Sequence, residues 1–236
     1  MQKPTILAIQ NDETDPPHLV GRWLMEIGFE IKILRAYAGE KVPNKVPSDV
    51  VALMPLGGHM GALDDDIAPW LKDERALLAD AVAKNFPIFA ICLGAQLLAA
   101  ATDGKVERMA KGEIGLFEIK AEASDEIVNF GESALTTQWH EDQVTKLPTG
   151  ATLLASSELC PNQIYKMGTH TYAFQSHPEV DGQIITRWEK DADNAFIESG
   201  SVSVKESVTA AEEKLFQTWK PIVQKWGERL LASLAA

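Results

Sequence analysis

Four short apolar runs alternate along the first ninety residues with stretches whose apolar positions return every three or four residues. TILAIQ (5–10), EIKILRAY (30–37), DVVALMPLGG (49–58) and PIFAIC (87–92) read as strands. After the first, Leu19, Trp23, Leu24 and Ile27 keep helical spacing. Asp15 can cap that helix, Pro16 and Pro17 suit its first turn, and Gly28 ends it. DIAPWLKDERALLADAVAKN (66–85) predicts an amphipathic helix. Strands alternating with helices point to an α/β, doubly wound, mainly parallel sheet whose sites form at the carboxyl ends of the strands.

Beyond Gly104 the texture changes. KVERMAKGEIGLFEIKAE (105–122) and GATLLASSELCPNQIYKMGTHTYAFQSH (150–177) look like hairpins, an antiparallel extension of the same sheet. DGQIITRWEKDADNAF (181–196) returns to helix, and residues 204–236 are helical in pattern. Residues 1–200 then form one domain and 201–236 its C-terminal helical extension, with Pro221 kinking the last helix or restarting it as a second. Leu215, Trp219, Ile222, Trp226 and Leu230 make an apolar stripe there. It suits packing on its own domain, or pairing with a second copy or a separate synthetase.

The charge balance narrows the partners. With 34 acidic and 22 basic residues the net charge is −12, a surface that repels phosphate backbones and argues against nucleic acid. No apolar run is long enough for a membrane span, and MQKPTILAIQND lacks the pattern of a signal peptide. Two cysteines, Cys92 and Cys160, make neither a disulfide framework nor a zinc site, so a cytoplasmic location with free thiols and no metal or cofactor is the economical expectation.

Cys92 lies where an apolar strand turns into an alanine-rich helix, in FPIFAICLGAQLLAAATDG (86–104), with Gly94 two residues on. Such a turn lifts a side chain above the sheet and aims it at a helix amino terminus, where free N–H groups and the dipole favour a thiolate and an oxyanion. A cysteine nucleophile needs a base and a group to orient it. Among five histidines His177 is delivered by an apolar strand and stopped by Pro178, with Glu179 two residues on. A small buried thiol, a satisfied loop histidine and a solvated turn acid are the plain alternatives, each reasonable alone and together much less so. Cys160, without a nearby base candidate, reads as a structural or incidental thiol.

AICLGAQLLA (90–99) and FQSHPEV (174–180), with PLGGHMGALDD (55–65) upstream, resemble a class I, triad-type glutamine amidotransferase domain over roughly residues 5 to 190, similar to the free-standing GMP synthase-like group. KGEIGLFEI (111–119), QWHEDQV (138–144) and SSELCPNQIYKMG (156–168) fit as intermediate pieces. The resemblance implies a flavodoxin-like fold and hydrolysis of the glutamine side-chain amide through a γ-glutamyl thioester, without a cofactor. It implies Cys92 as nucleophile, His177 as base and acid, and Glu179 as its orienting partner. Gly58 and Leu93 become backbone oxyanion donors, and Gln96 a contact to bound glutamine. Glu141 and Asp142 fall in the loop that offers backbone groups to the substrate's amino-acid end. Ala90, His59 and Ser176 depart from the family's usual glycine, proline and large apolar residue.

Too few residues follow the catalytic half for an ATP-using synthetase domain, and no phosphate-gripping G-x-x-x-x-G-K-[ST] motif occurs. The resemblance therefore leaves three readings. One is an amidotransferase that passes ammonia to a separate synthetase subunit. The second is a γ-glutamyl peptidase or hydrolase acting alone, and the third a non-catalytic relative.

Overall fold

The computed structural model describes residues 3–191 and 203–235. Nine strands form one sheet in the order β2-β1-β3-β4-β9-β8-β7-β5-β6. Strands β1 (Thr5–Gln10), β2 (Glu30–Arg35), β3 (Ala52–Pro55), β4 (Ile88–Ile91) and β9 (Thr171–Phe174) pair in parallel. The order 2-1-3-4 followed by β9 is the flavodoxin-like arrangement, with a topological switch between β1 and β3. The remaining strands, β5 (Lys105–Ala121), β6 (Ser133–Lys146), β7 (Thr152–Ser156) and β8 (Ile164–Met167), extend the sheet by antiparallel pairing. Every residue of β3, β4 and β9 is buried, as strands covered on both faces must be.

Helices cover both faces. α2 (Trp70–Ala83) and α3 (Leu93–Ala100) pack on one side, around Leu71, Leu77, Leu97 and Leu98. On the other lie α1 (His18–Glu26), α4 (Gly182–Asp191) and α5 (Val204–Leu234). Asp181 starts α4, its Oδ1 accepting from the N–H groups of Gln183 and Ile184. The part of the predicted helix beyond Asp191 lies outside the described residues.

Several expected boundaries shift. β2 stops at Arg35 and gives way to a single 3-10 turn, Ala36–Ala38, so Tyr37 is not in a strand. β3 is confined to Ala52–Pro55, with one further backbone bond from the Leu56 N–H to the Ile9 carbonyl at 3.1 Å. α2 begins only after Pro69, which suits a helix start and not an interior. Asp15 does not cap α1: Pro17 occupies the cap position without a side-chain bond, and Asp15 is turned inward.

Pro221 neither ends α5 nor splits it. A proline costs the bond to the carbonyl four residues back, but here the helix is clamped on both sides of the break. Trp219 and Trp226 are buried, their ring N–H groups donating to the carbonyls of Leu135 (3.2 Å) and His170 (2.9 Å). Gly227 lets α5 cross α1 closely, since a Cβ there would stand 2.6 Å from Ile27 and 2.8 Å from Leu24. Leu215, Trp219, Ile222, Trp226 and Leu230 are all at most 3 % exposed, so the stripe is packed on the chain itself. Ser203 caps the helix, its Oγ accepting from the Glu206 N–H at 3.1 Å.

Trp226 meets the Phe89 ring edge-on at 5.2 Å, and Phe89 stacks on Phe174 at 4.7 Å, so α5 holds β4 and β9 from below. Trp226→Ala should therefore cost about 3–5 kcal/mol of unfolding free energy, the usual penalty for emptying an aromatic site. Urea unfolding checks this, and a loss under about 1 kcal/mol would mean that α5 is not part of the cooperative core.

Candidate active site

The parallel pairing of β4 with β9 decides where the chemistry sits. Ile91 stands opposite Phe174, so the residues following each strand emerge side by side at the carboxyl edge. The Cys92 N–H continues the ladder by donating to the Phe174 carbonyl at 2.7 Å. Three residues on from Phe174, His177 donates its own N–H to the Thr137 carbonyl of β6 at 2.9 Å, which fixes the loop that carries it.

Cys92 adopts φ 49°, ψ −110°, a conformation that costs a non-glycine residue on the order of 1–3 kcal/mol. The strain belongs to the cysteine; Gly94 has a different task from relaxing the turn. A Cβ on Gly94 would lie 2.2 Å from the Pro55 carbonyl oxygen, and the Gly94 N–H donates to the Leu56 carbonyl at 3.1 Å. Glycine thus lets the start of α3 press against the end of β3. Leu93 is the first helical residue, so its N–H has no acceptor within the helix and faces the same edge. Gly57 and Gly58 follow β3, and both are tightly enclosed. A Cβ on Gly58 would meet Met60 Sδ at 2.7 Å and Leu93 at 3.1 Å, and one on Gly57 would meet Asp15 Oδ2 at 3.0 Å and His177 Cε1 at 3.3 Å.

His177 and Glu179 are buried and joined, Nδ1 to Oε1 at 2.7 Å. His177 Nε2 is buried without a hydrogen-bond partner, and Cys92 is near enough for its charge to act on the ring. Burial opposes a charged imidazole, but the charges of Cys92 and Glu179 on its two sides outweigh it and raise the pKa of His177 well above its usual range. The Trp188 ring packs against the imidazole at 4.7 Å.

These residues open on a cavity of about 720 Å³ whose walls include Gly58, Cys92, Gln96, Glu141, Asp142 and His177. Six of the eight residues singled out in the sequence therefore share its lining, while Leu93 and Glu179 stand directly behind Cys92 and His177. Gln96 is buried, and its amide donates to the Asp142 carbonyl (3.1 Å) and to Gln175 Oε1 (3.2 Å). Glu141 and Asp142, expected in a loop, lie within β6 instead. Their carboxylates face Arg108, which contacts Glu141 directly and reaches Asp142 at 3.6 Å.

Sequence reasoning missed four groups. Arg108 sits where the β5–β6 ladder loses register, which no local pattern announces. Trp188 reads in the sequence only as part of a helix, and Asp12, after β1, contacts His59 at the rim. Asp15 is the fourth, buried beside His177 with one carboxylate oxygen unpartnered. Burial drives its carboxyl from 3.8 up to about 7, against the pull of His177 and with help from Asp12 and Glu179. The Asp-Pro-Pro run is the available signal, and it reads equally well as a helix start.

Among the described residues one group could hold a metal ion: Glu113, His140 and Cys160, whose ligand atoms lie within 4.8 Å of one another. Its carboxylate already accepts from His140 Nε2 (3.0 Å), Gln163 Nε2 (2.6 Å) and Ser157 Oγ (2.6 Å), so protons fill the positions a cation would take. Burial pushes the Cys160 thiol up to about 12, in keeping with a structural role.

The family model for glutamine amidotransferase class-I matches residues 18–215. The chain is 35% identical to the glutamine-hydrolysing GMP synthase subunit of Thermococcus kodakarensis, over 74% of this chain and 89% of that one. It is also 35% identical to gamma-glutamyl peptidase 3 of Arabidopsis thaliana, over 42% of this chain and 43% of that one. The crystal structure of a glutamine amidotransferase from Thermotoga maritima superposes with a TM-score of 0.85 at 26% identity, covering 98% of this chain and 99% of that one.

Asp15 gives a test of the electrostatics. Its folded pKa lies above its unfolded one, so the folded state holds the extra proton and loses stability as pH rises from about 4 to about 7. Asp15→Asn removes that penalty. Relative to the parent its stability should rise over this window by no more than about 1.4 kcal/mol per pH unit and then level off. Urea unfolding at pH 4, 6 and 8 measures it, and a parallel pair of curves would show that Asp15 is ionised throughout.

Proposed function

Because the chain belongs to the glutamine amidotransferase class-I family, we propose that it hydrolyses a γ-glutamyl amide, the side-chain amide of glutamine in the simplest case, through a thioester on Cys92. The observation that carries this reading is the buried His177, bonded to Glu179 on one side and facing Cys92 on the other, at the mouth of a cavity.

The Cys92 sulfur attacks the amide carbon while the carbonyl oxygen takes up the negative charge. The N–H groups of Gly58 and Leu93 are the candidates to receive that oxyanion, one in the turn after β3 and one at the start of α3. His177, holding the proton taken from the Cys92 thiol, gives it to the amide nitrogen, the C–N bond breaks and the amine leaves. Water then attacks the thioester, His177 takes its proton, the C–S bond breaks, and the acid leaves behind a thiolate on Cys92 beside a protonated His177. Glu179 holds the ring with Nδ1 protonated and steadies its charge. Gln96, Glu141 and Asp142 form the wall assigned to the amino-acid end of the substrate. We place the helix of residues 204–234 in the same domain as this site, as an extension of it.

Released ammonia would pass to a separate synthetase, by analogy with the glutamine-hydrolysing GMP synthase subunit that the chain resembles. A second reading is favoured by the size of the cavity, several times what one small amino acid fills: a γ-glutamyl peptide with a larger leaving group, acted on without a partner. Comparing turnover of free glutamine with that of γ-glutamyl dipeptides by the purified chain decides between them.

Cys92→Ala should abolish turnover of either substrate, and activity surviving it would overturn the mechanism. Glu179→Gln should keep a measurable residue of activity, lowered by about two to four orders of magnitude as in other misoriented imidazoles. It also removes one of the negative charges that hold the His177 proton. The high-pH limb of kcat/KM should therefore move to lower pH, read from a rate profile of the variant against the parent.

A further inference from the structure

The β5–β6 ladder fails beside the cavity. Arg108 pairs with Asp142 and Glu113 pairs with His140, so residues 109–112 of β5 bulge out with only Glu141 opposite them. Backbone pairing thus gives way where the wall assigned to the amino-acid end of the substrate must hold its shape. Side chains hold it instead. The Asp142 carbonyl accepts from His140 Nδ1 at 2.9 Å and from Gln96 Nε2 at 3.1 Å. The same Gln96 amide donates to Gln175 Oε1 at 3.2 Å, and the Gln175 amide lies 3.7 Å from the Cys92 sulfur.

His140 bridges the Asp142 carbonyl, 2.9 Å from Nδ1, and the Glu113 carboxyl, 3.0 Å from Nε2, so both ring nitrogens are engaged. Glu113 is wholly buried, and it also accepts from Ser157 and Gln163. Burying such a pair is a poor way to gain stability, since apolar residues of like volume would serve as well or better. Its return is orientation: a buried carboxyl held by three partners allows the imidazole a single pose, and that pose sets the carbonyl.

We propose that Glu113 is a positioning residue for the γ-glutamyl subsite. It acts through His140 and the Asp142 carbonyl on the Gln96–Gln175 pair that faces Cys92. The proposal rests on the amide-hydrolase reading above and adds to it a group that touches neither substrate nor sulfur.

The test separates binding of the acyl portion from reactivity of the thiol. For Glu113→Gln, KM for the amide substrate should rise roughly tenfold or more, the size of one lost buried hydrogen bond, while kcat changes far less. Labelling of Cys92 by a glutamine-like diazoketone should slow by a similar factor, whereas alkylation by iodoacetamide, which needs no subsite, should stay within about twofold of the parent. Ser157→Ala, which removes one donor to Glu113 and leaves His140 in place, should move KM the same way by less, and it stands in if Glu113→Gln does not fold. Parental KM in the folded variants, or equal loss of both labelling reactions, overturns the proposal while leaving the amide-hydrolase reading intact. A parent inert to glutamine, to γ-glutamyl dipeptides and to the diazoketone overturns that reading and this proposal with it.

Discussion

The site depends on one backbone contact, that of Gly94 in α3 against the carbonyl of Pro55 at the end of β3. No side chain fits between them, so the helix start is pressed onto the strand end and Cys92 is forced into its strained pose above the sheet. The two candidate oxyanion donors, Leu93 and Gly58, lie one on each side of that contact and are brought near each other by it. β4 and β9 then add the second coordinate, delivering His177 next to the cysteine by parallel register together with the bond of its loop to the Thr137 carbonyl. The catalytic candidates are thus placed by secondary-structure packing, with loops adding only the last few residues.

Around this frame the polar groups are arranged by what each one can accept. Glu179 fixes one face of His177, and Asp15 lies near its Cε1 edge with burial holding its carboxyl up. On the far side of the cavity, Glu113 and His140 hold the stretch of β6 that the bulge in β5 leaves without a partner strand. Under the β3 turn, Asn11 donates to the Leu56 carbonyl and to Glu74, whose carboxyl burial raises to about 8. These four buried carboxyls therefore do different jobs: Glu179 and Glu113 hold imidazole rings, while burial raises the pKa of Asp15 and Glu74.

Much of this was legible in the chain, and the reasons differ by element. Unbroken apolar runs marked β1, β3, β4 and β9, because strands buried on both faces cannot alternate. The cysteine turn and the His-Pro-Glu sequence announced themselves by local grammar. Residues whose role depends on distant partners did not. Asp15 reads as a cap until the loop carrying His177, more than 160 positions away, is laid over it. Gln96 reads as a substrate contact, and no local pattern announces that its amide also donates to the Asp142 carbonyl. Arg108 and Glu113 depend on a register slip that only the assembled ladder reveals. Pro221 reads as a break, since propensity alone cannot register two tryptophans anchored on either side of it.

The long terminal helix has a consequence for the order in which this protein can be completed. Every parallel strand, the cysteine turn and the histidine loop precede α5 in the chain, yet the face formed by Phe89, Phe174 and their neighbours is closed only by Trp219 and Trp226. During synthesis the ribosome therefore presents a sheet whose candidate catalytic edge is fully encoded while one of its apolar faces still lacks its cover. The nascent chain must keep that face from neighbouring polypeptides until α5 emerges. A ribosome that stalls or terminates early in this segment would release a protein carrying its complete set of reactive groups on an unsealed core.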